Sequence, residues 1–368
     1  MAAGGIRKRQ DGLTGFPEEI LQEILVRLPA KSVLRCRAVC RSWRRLTSDS
    51  TFLVAHHRLQ PTLHLISSFR PSDDQPFPGC LDAVDLQIGE VRRDIWPGNH
   101  SFDASCDGLL VIGSYIIGKS RINNPATRQW APLSRKVRVQ HVVCLFRHQP
   151  TGEYRVLFWR TSSVRHEYYC LIEYCMLTVG SNHDPRLVRW PEPANWRLVS
   201  GPGPTFIGAP VLLNGDMYLH WRKYTESECH KILVFDTVTE SFRHMRPPAV
   251  SPRIVLDLFD MNGMLAASCS KDSMMEMTIF LLNSNKGNVW QFQYRIKIPE
   301  MVVRPFQEKG DWLAKVVSAK GDFLVACFGW LLHCDRKGNL VAKFRYDDDL
   351  PVVTPRVLKE SLIQHAFF

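Results

Sequence analysis

Between residues 16 and 28 the apolar positions Ile20, Leu21, Ile24, Leu25 and Leu28 recur at a helical spacing that places all five on one face. Phe16-Pro17-Glu18-Glu19 opens this helix. The proline sits where a missing N–H costs nothing, and the acids lie near the positive end of the helix dipole. Pro29 ends it. Ser32 is placed to cap a second helix with Val33, Leu34, Cys36, Val39, Cys40 and Trp43 on its apolar side. Arg35, Arg37, Arg41, Arg44 and Arg45 form the solvated side of that helix. A third, short helix starts near Asp49 or Ser50 and carries Phe52 and Leu53. Three such helices enclose a core below the size that is comfortably stable alone. The large apolar residues on so small a unit therefore predict that part of its apolar surface belongs to a partner.

The helical pattern breaks between residues 60 and 100, where Pro61, Pro71, Pro76, Pro78 and Gly79 punctuate the chain. This stretch reads as a connection with short strands leading into the next domain. Beyond it, short β-rich runs alternate with turn clusters, the pattern of an all-β fold. A repeat is visible. Its first half is a glycine followed by a strand: Gly108-Leu109-Leu110-Val111, Gly215-Asp216-Met217-Tyr218, Gly263-Met264-Leu265-Ala266 and Gly321-Asp322-Phe323-Leu324. Its second half is a strand, a turn rich in Asn, Asp and Thr, and a strand whose aromatic or apolar residue packs between repeats. Examples are Asn123-Asn124-Pro125-Ala126-Thr127-Arg128-Gln129-Trp130 and Asp236-Thr237-Val238-Thr239-Glu240-Ser241-Phe242. The period of roughly 50 residues is near that of kelch propellers and predicts a ring of five to seven four-stranded blades.

Composition adds two constraints. Of 368 residues, 45% are hydrophobic and 23% charged, so the chain is globular. Lys and Arg number 47 against 36 Asp and Glu, a net charge of +11, which invites a nucleic-acid reading. The excess is uneven: residues 1–60 carry 11 basic and 5 acidic side chains, a disproportionate share. The 11 cysteines are scattered, which fits free thiols in a reducing compartment and an expected location in cytoplasm, nucleus or both. No apolar run reaches membrane-spanning length.

Few stretches of the chain carry the pattern of a reactive or ligand-binding site. Gly113-Ser114-Tyr115-Ile116-Ile117-Gly118-Lys119-Ser120 spells a phosphate-binding loop, and Ile232-Leu233-Val234-Phe235-Asp236 spells a companion strand. Such a loop needs a helix starting at the lysine. Here Arg121-Ile122-Asn123-Asn124-Pro125 follows, which opposes a sustained helix. Gly201-Pro202-Gly203-Pro204 lacks two of the N–H groups a phosphate cradle would use. His166-Glu167 lacks the second histidine of a metal helix, and Cys36 and Cys40 read as core thiols. The tryptophans from Trp159 to Trp330 read as blade core. No cofactor, metal or catalytic set is expected. A nucleotide-binding protein using Gly113–Ser120 and a basic nucleic-acid-binding propeller are the rival readings.

The helical unit resembles an F-box. The resemblance is carried by Phe16-Pro17-Glu18-Glu19-Ile20-Leu21, Ile24-Leu25-Val26-Arg27-Leu28-Pro29, Ser32 to Trp43, and Phe52, with Phe16 standing where the family usually has Leu. Cys106-Asp107-Gly108-Leu109-Leu110, Asn124 to Trp130 and Asn214-Gly215-Asp216-Met217-Tyr218-Leu219-His220-Trp221 resemble the F-box-associated domain of the large plant F-box family. The resemblance implies a disordered leader over 1–12, a three-helix F-box over 13–56, a connection over 57–99 and a kelch-like propeller over 100–368. It also implies a non-catalytic substrate receptor of an SCF (Skp–cullin–F-box) ubiquitin ligase, bound to a Skp-family adaptor and through it to cullin. The adaptor-contacting residues implied are Pro17, Ile20, Leu21, Ile24, Leu25, Leu28, Pro29, Leu34, Val39 and Trp43. The target protein is not implied.

Overall fold

The computed structural model describes residues 16–69, 79–97, 101–113, 120–134, 136–137, 139, 141–163, 170–189, 205–222, 230–249, 255–270, 276–283, 288–306, 312–346 and 349–368. The leader over 1–12 lies outside this set, as do Gly201–Pro204, His166-Glu167 and residues 114–119 of the phosphate-loop match.

Four helices, rather than three, open the described chain: α1 (Glu18–Leu25), α2 (Ala30–Cys36), α3 (Arg41–Ser48) and α4 (Ser50–Leu59). Pro17 precedes α1 and makes no capping hydrogen bond, and its missing N–H costs the helix nothing there. The expected second helix is two. Cys40 is extended (φ −157°, ψ 168°), and its Sγ accepts from the Trp43 amide, which starts α3 as a new helix. Ser32 is no cap, because α2 begins at Ala30 behind Pro29. Asp49 does cap the last helix, accepting from the amides of Thr51 and Phe52. The Thr51 hydroxyl donates to it as well and, with those amides, holds its carboxyl below the usual range.

The rest is a six-bladed β-propeller. Each of the six sheets among the described residues has four antiparallel strands. The second blade is β4 (Ser101–Cys106), β5 (Leu109–Gly113), β6 (Ser120–Asn124) and β7 (Gln129–Pro132). The third is β8 (Val142–Arg147), β9 (Tyr154–Ser163), β10 (Cys170–Thr178) and β11 (Arg186–Leu187), and the fourth is β12 (Thr205–Leu213), β13 (Asp216–Arg222), β14 (His230–Asp236) and β15 (Ser241–Met245). The fifth is β16 (Val255–Met261), β17 (Met264–Ser270), β18 (Glu276–Asn283) and β19 (Val289–Lys297), and the sixth is β20 (Leu313–Val316), β21 (Phe323–Cys327), β22 (Trp330–Cys334) and β23 (Leu340–Arg345).

The first blade is built differently. Its β1 (Thr62–Phe69), β2 (Gly79–Asp85) and β3 (Glu90–Pro97) come from the stretch expected to be a connection. That expectation is corrected: residues 62–97 supply three strands of the ring. The fourth strand is β24 (Val352–Lys359), which pairs with β1 antiparallel and takes the place that β4, β8, β12, β16 and β20 hold in the other blades. The ring is thus closed by a first blade whose strands come from both ends of the described chain, and the propeller is left with only short sheet edges.

The repeat reads directly as turn chemistry. The β4–β5, β12–β13 and β16–β17 hairpins turn on Asp107-Gly108, Asn214-Gly215 and Asn262-Gly263, all six residues at positive φ, as tight two-residue hairpins require. In the later turn a carboxylate or amide oxygen accepts two amides: Asn124 from Ala126 and Thr127, Asp236 from Val238 and Thr239, Asp335 from Lys337 and Asn339. The aromatic that follows does not always pack between blades. Trp130 is exposed under the Arg121 guanidinium, whereas Phe242 packs against the core shared by the third and fourth blades.

Candidate functional site

Of the five apolar residues expected on one face, Leu28 lies beyond the end of α1 and the four on the helix divide in two. Leu21 and Leu25 are 8% and 2% exposed and point into the helical core with Val26, Ala30, Val33, Leu46, Phe52 and Leu53. Ile20 and Ile24 are 47% and 49% exposed. Successive residues on a helix are rotated by about 100°, so the pairs 21/25 and 20/24 form adjacent stripes that need not share an environment. Phe16, four residues before Ile20, is exposed too. Leu28, Leu34 and Trp43 are half-buried against the core, and Pro17, Pro29 and Val39 are exposed, Val39 at 65%.

The basic side chains are not uniformly solvated. Arg37 turns inward and donates to the Thr47 carbonyl at 2.7 Å, and burial lowers its pKa. Arg35, Arg41, Arg44 and Arg45 remain exposed, with Arg45 3.4 Å from Glu18. Cys36 is half-buried and Cys40 is exposed, so the reading of both as core thiols fails for Cys40, whose sulfur caps α3.

Sequence reasoning missed the segment after β24. Leu362 is 1% exposed and sits in the core of the four helices, with Ile363 beside it. The Glu360 carboxylate lies 3.4 Å from the Ala30 amide at the start of α2 and 2.7 Å from Arg92 on β3. The His57 ring meets the Glu360 carbonyl at 2.9 Å, and Lys359 donates to the Arg58 carbonyl at 2.6 Å. From the propeller, the Asn124 amide donates to the Ser361 carbonyl at 3.0 Å. Phe367 and Phe368 pack onto the core of the second and third blades. The helical unit therefore hides part of its surplus apolar surface against its own chain. No local pattern in residues 360–368 announces this, because their partners lie some 300 residues away in sequence.

Between α4, this segment and the second and third blades lies a cleft of about 910 Å³, lined by Val54, His57, Asp107, Arg147, Tyr154 and His365 among others. In it Tyr154 donates to Asp107 at 3.0 Å, and the Arg147 guanidinium donates to the Gly152 carbonyl at 3.3 Å. Burial and neighbouring Asp107 push the Tyr154 hydroxyl well above the usual phenol range, and burial lowers the His365 pKa.

The rival chemistry finds no scaffold. Gly113 and Ser120 are register partners on antiparallel β5 and β6, so Ser120 starts a strand where a phosphate loop would start a helix. Asp236, the acid of the companion strand, spends its oxygen on the turn amides of Val238 and Thr239. Among the described residues no group of three or more His, Cys, Asp or Glu is placed to hold a metal, and no helix is long and apolar enough to cross a membrane.

Comparison with known proteins agrees with this architecture. Residues 51–342 match the family described as F-box associated beta propeller domain, and residues 14–60 match the F-box-like family. Among curated Arabidopsis thaliana proteins, F-box protein At5g49610 is 33% identical over 139 residues, 38% of this chain and 37% of that protein. F-box protein At3g07870 is 27% identical over 272 residues, 64% of this chain and 61% of that protein, so the chain spans under two thirds of either relative. F-box/LRR-repeat protein At2g43260 is 50% identical over 343 residues, 83% of this chain and 73% of that protein. A helical unit with an exposed apolar stripe, set on a closed six-bladed ring and matched by both families, leads to one assignment: the chain belongs to the F-box proteins that carry an F-box-associated β-propeller domain.

Proposed function

We propose that this chain is the target-recruiting subunit of an SCF ubiquitin ligase. Its F-box docks on a Skp-family adaptor, through which it joins cullin, and its propeller holds the protein to be ubiquitinated, in cytoplasm, nucleus or both. The observation that carries this reading is the pair Ile20 and Ile24, about half exposed on a helix whose other apolar stripe is already filled. Desolvating such a pair at an interface contributes on the order of 1–2 kcal/mol. Pro17, Pro29 and Val39 extend the exposed set, and Leu28, Leu34 and Trp43 support it from half-buried positions. Leu21 and Leu25 act from behind, by holding α1 in place. The exposed Arg35, Arg41, Arg44 and Arg45 steer an acidic partner surface during encounter. The chain needs no acid–base group for this role: holding a target beside a ubiquitin-charged enzyme acts through effective concentration.

A pulldown with a purified plant Skp adaptor tests the reading. The full chain should capture the adaptor, and Ile20→Asp combined with Ile24→Asp should weaken capture at least tenfold, about 1.4 kcal/mol. The unfolding midpoint should move far less than for a change at Leu21 or Leu25, because about half of each isoleucine already faces water. Undiminished capture by the double variant would reject the interface. Leu25→Asp also loses capture, but by burying a charge and unfolding the helices, so it cannot stand in for the surface variant.

A further inference from the structure

We propose that the segment Glu360–Ile363 makes the F-box dependent on closure of the propeller ring, so that a stable α1 is presented only by a chain whose last strand is docked. This rests on the reading of α1 as the adaptor-binding helix. The geometry behind it is a short tether between two distant cores. β24 ends at Lys359, held in the first blade by pairing of Lys359 with Thr62 and Leu358 with Leu63. Leu362 follows three residues later and already belongs to the buried core cluster that includes Leu21, Leu25, Phe52 and Leu53. Three extended residues span about 10 Å at most. If β24 leaves the blade, Leu362 loses its fixed anchor, and the F-box core loses a leucine that is 1% exposed.

The polar contacts point the same way. Glu360 reaches from the start of α2 to Arg92 on β3, and His57 on α4 meets the Glu360 carbonyl. Asn124 holds the Ser361 carbonyl from the second blade. Each of these contacts joins the strap formed by residues 360–363 to a helix or to a strand of the ring, and the strap itself is anchored by β24. Leu21 and Leu25, which share the buried cluster with Leu362, alternate on α1 with Ile20 and Ile24. Loosening one stripe frees the other. Linkage is reciprocal, so whatever fixes α1 from outside must also favour the closed ring. A chain interrupted before β24, or one whose ring has opened, would therefore fail to present a competent F-box.

Hydrogen exchange on the full-length protein tests this without the adaptor. Leu362→Ser removes the strap's apolar anchor with the ring intact, and Leu358→Asp unseats β24 with Leu362 unchanged. Both should speed amide exchange in α1 and α4 at least tenfold, while β16–β19 on the far side of the ring keep wild-type rates. Wild-type exchange in α1 and α4 for Leu362→Ser would overturn the proposal, as would fast exchange in β1 and β24 of Leu358→Asp with unchanged helices. Should Leu358→Asp unfold throughout, Leu362→Ser alone decides the matter. Adaptor capture is scored separately. Failure of the wild-type chain to bind the adaptor would sink the functional reading, whereas wild-type exchange rates in the variants sink only the coupling.

Discussion

Gly108→Ala will destabilise the protein by about 3 kcal/mol, whereas Gly263→Ala will cost about 1 kcal/mol. The two glycines occupy the same position of the same kind of turn, at φ +82° and +80°. Any L-residue pays the left-handed strain at both. Only Gly108 also faces a neighbour: a Cβ there would stand 2.5 Å from the Ser361 Cβ, 2.7 Å from the Lys359 carbonyl oxygen and 2.9 Å from the Ser361 amide, whereas at Gly263 nothing lies within 4 Å. The Ser361 backbone cannot easily retreat, since its carbonyl is held by Asn124 and Leu362 is locked among the helices. Urea unfolding read at the midpoint, with an unchanged slope, separates the two costs. Equal losses at Gly108 and Gly263 would mean that the strap does not press against the second blade.

Acid will weaken the closed ring well before it titrates the turn carboxylates. His64 on β1 pairs with Val84 and Val357, at the place where β24 closes the first blade. Burial first, and the neighbouring His333 second, push its pKa down to about 4, against a partial opposing pull from Asp85. His333 on β22 is 5% exposed, and burial lowers its pKa as well, with Asp322 and Asp335 opposing. The fold favours the neutral ring, so the unfolded chain binds the extra proton. Stability is full above pH 6.5 and falls as the pH drops from 6.5 to about 4, where the loss levels off. His64 alone accounts for about 2 kcal/mol by pH 5. Urea midpoints at pH 7 and pH 5, compared between wild type and His64→Asn, should show a clear drop that the variant reduces. A flat profile between these pH values would contradict the enclosure of His64.

Parts of this molecule were plain in the sequence because their physics is local. Asp107-Gly108, Asn214-Gly215 and Asn262-Gly263 announce tight hairpins through two residues that tolerate positive φ, and Asp236 and Asp335 announce turns through oxygens that reach amides two to four residues on. Asp49 marks a helix start in the same way, and Pro17 marks one by its missing N–H. The number of blades lay within reach of the repeat period. What was hidden depends on distant pairing. Residues 62–97 look like a proline-broken connection because their fourth strand, β24, lies nearly 300 residues away. The break between α2 and α3 rests on a cysteine acting as a cap, an unusual choice that hydrophobic periodicity does not report. Periodicity also placed Ile20, Leu21, Ile24 and Leu25 together, because a stripe broad enough to be apolar does not say where the core ends. The contribution of Leu362 to the F-box core has no sequence signal at all. It refines the expectation that part of the helical unit's apolar surface belongs to a partner: some of that surface is covered by the chain's own strap, and Ile20 and Ile24 are among the apolar residues left exposed.

That remainder can be observed directly. With isoleucine δ1 methyls labelled in the full chain, adding a purified Skp adaptor should shift or broaden the Ile20 and Ile24 signals, and Ile66 and Ile279, fully buried in the propeller, should be untouched. Unperturbed Ile20 and Ile24 methyls at saturating adaptor would contradict the account, whatever else in the spectrum moved.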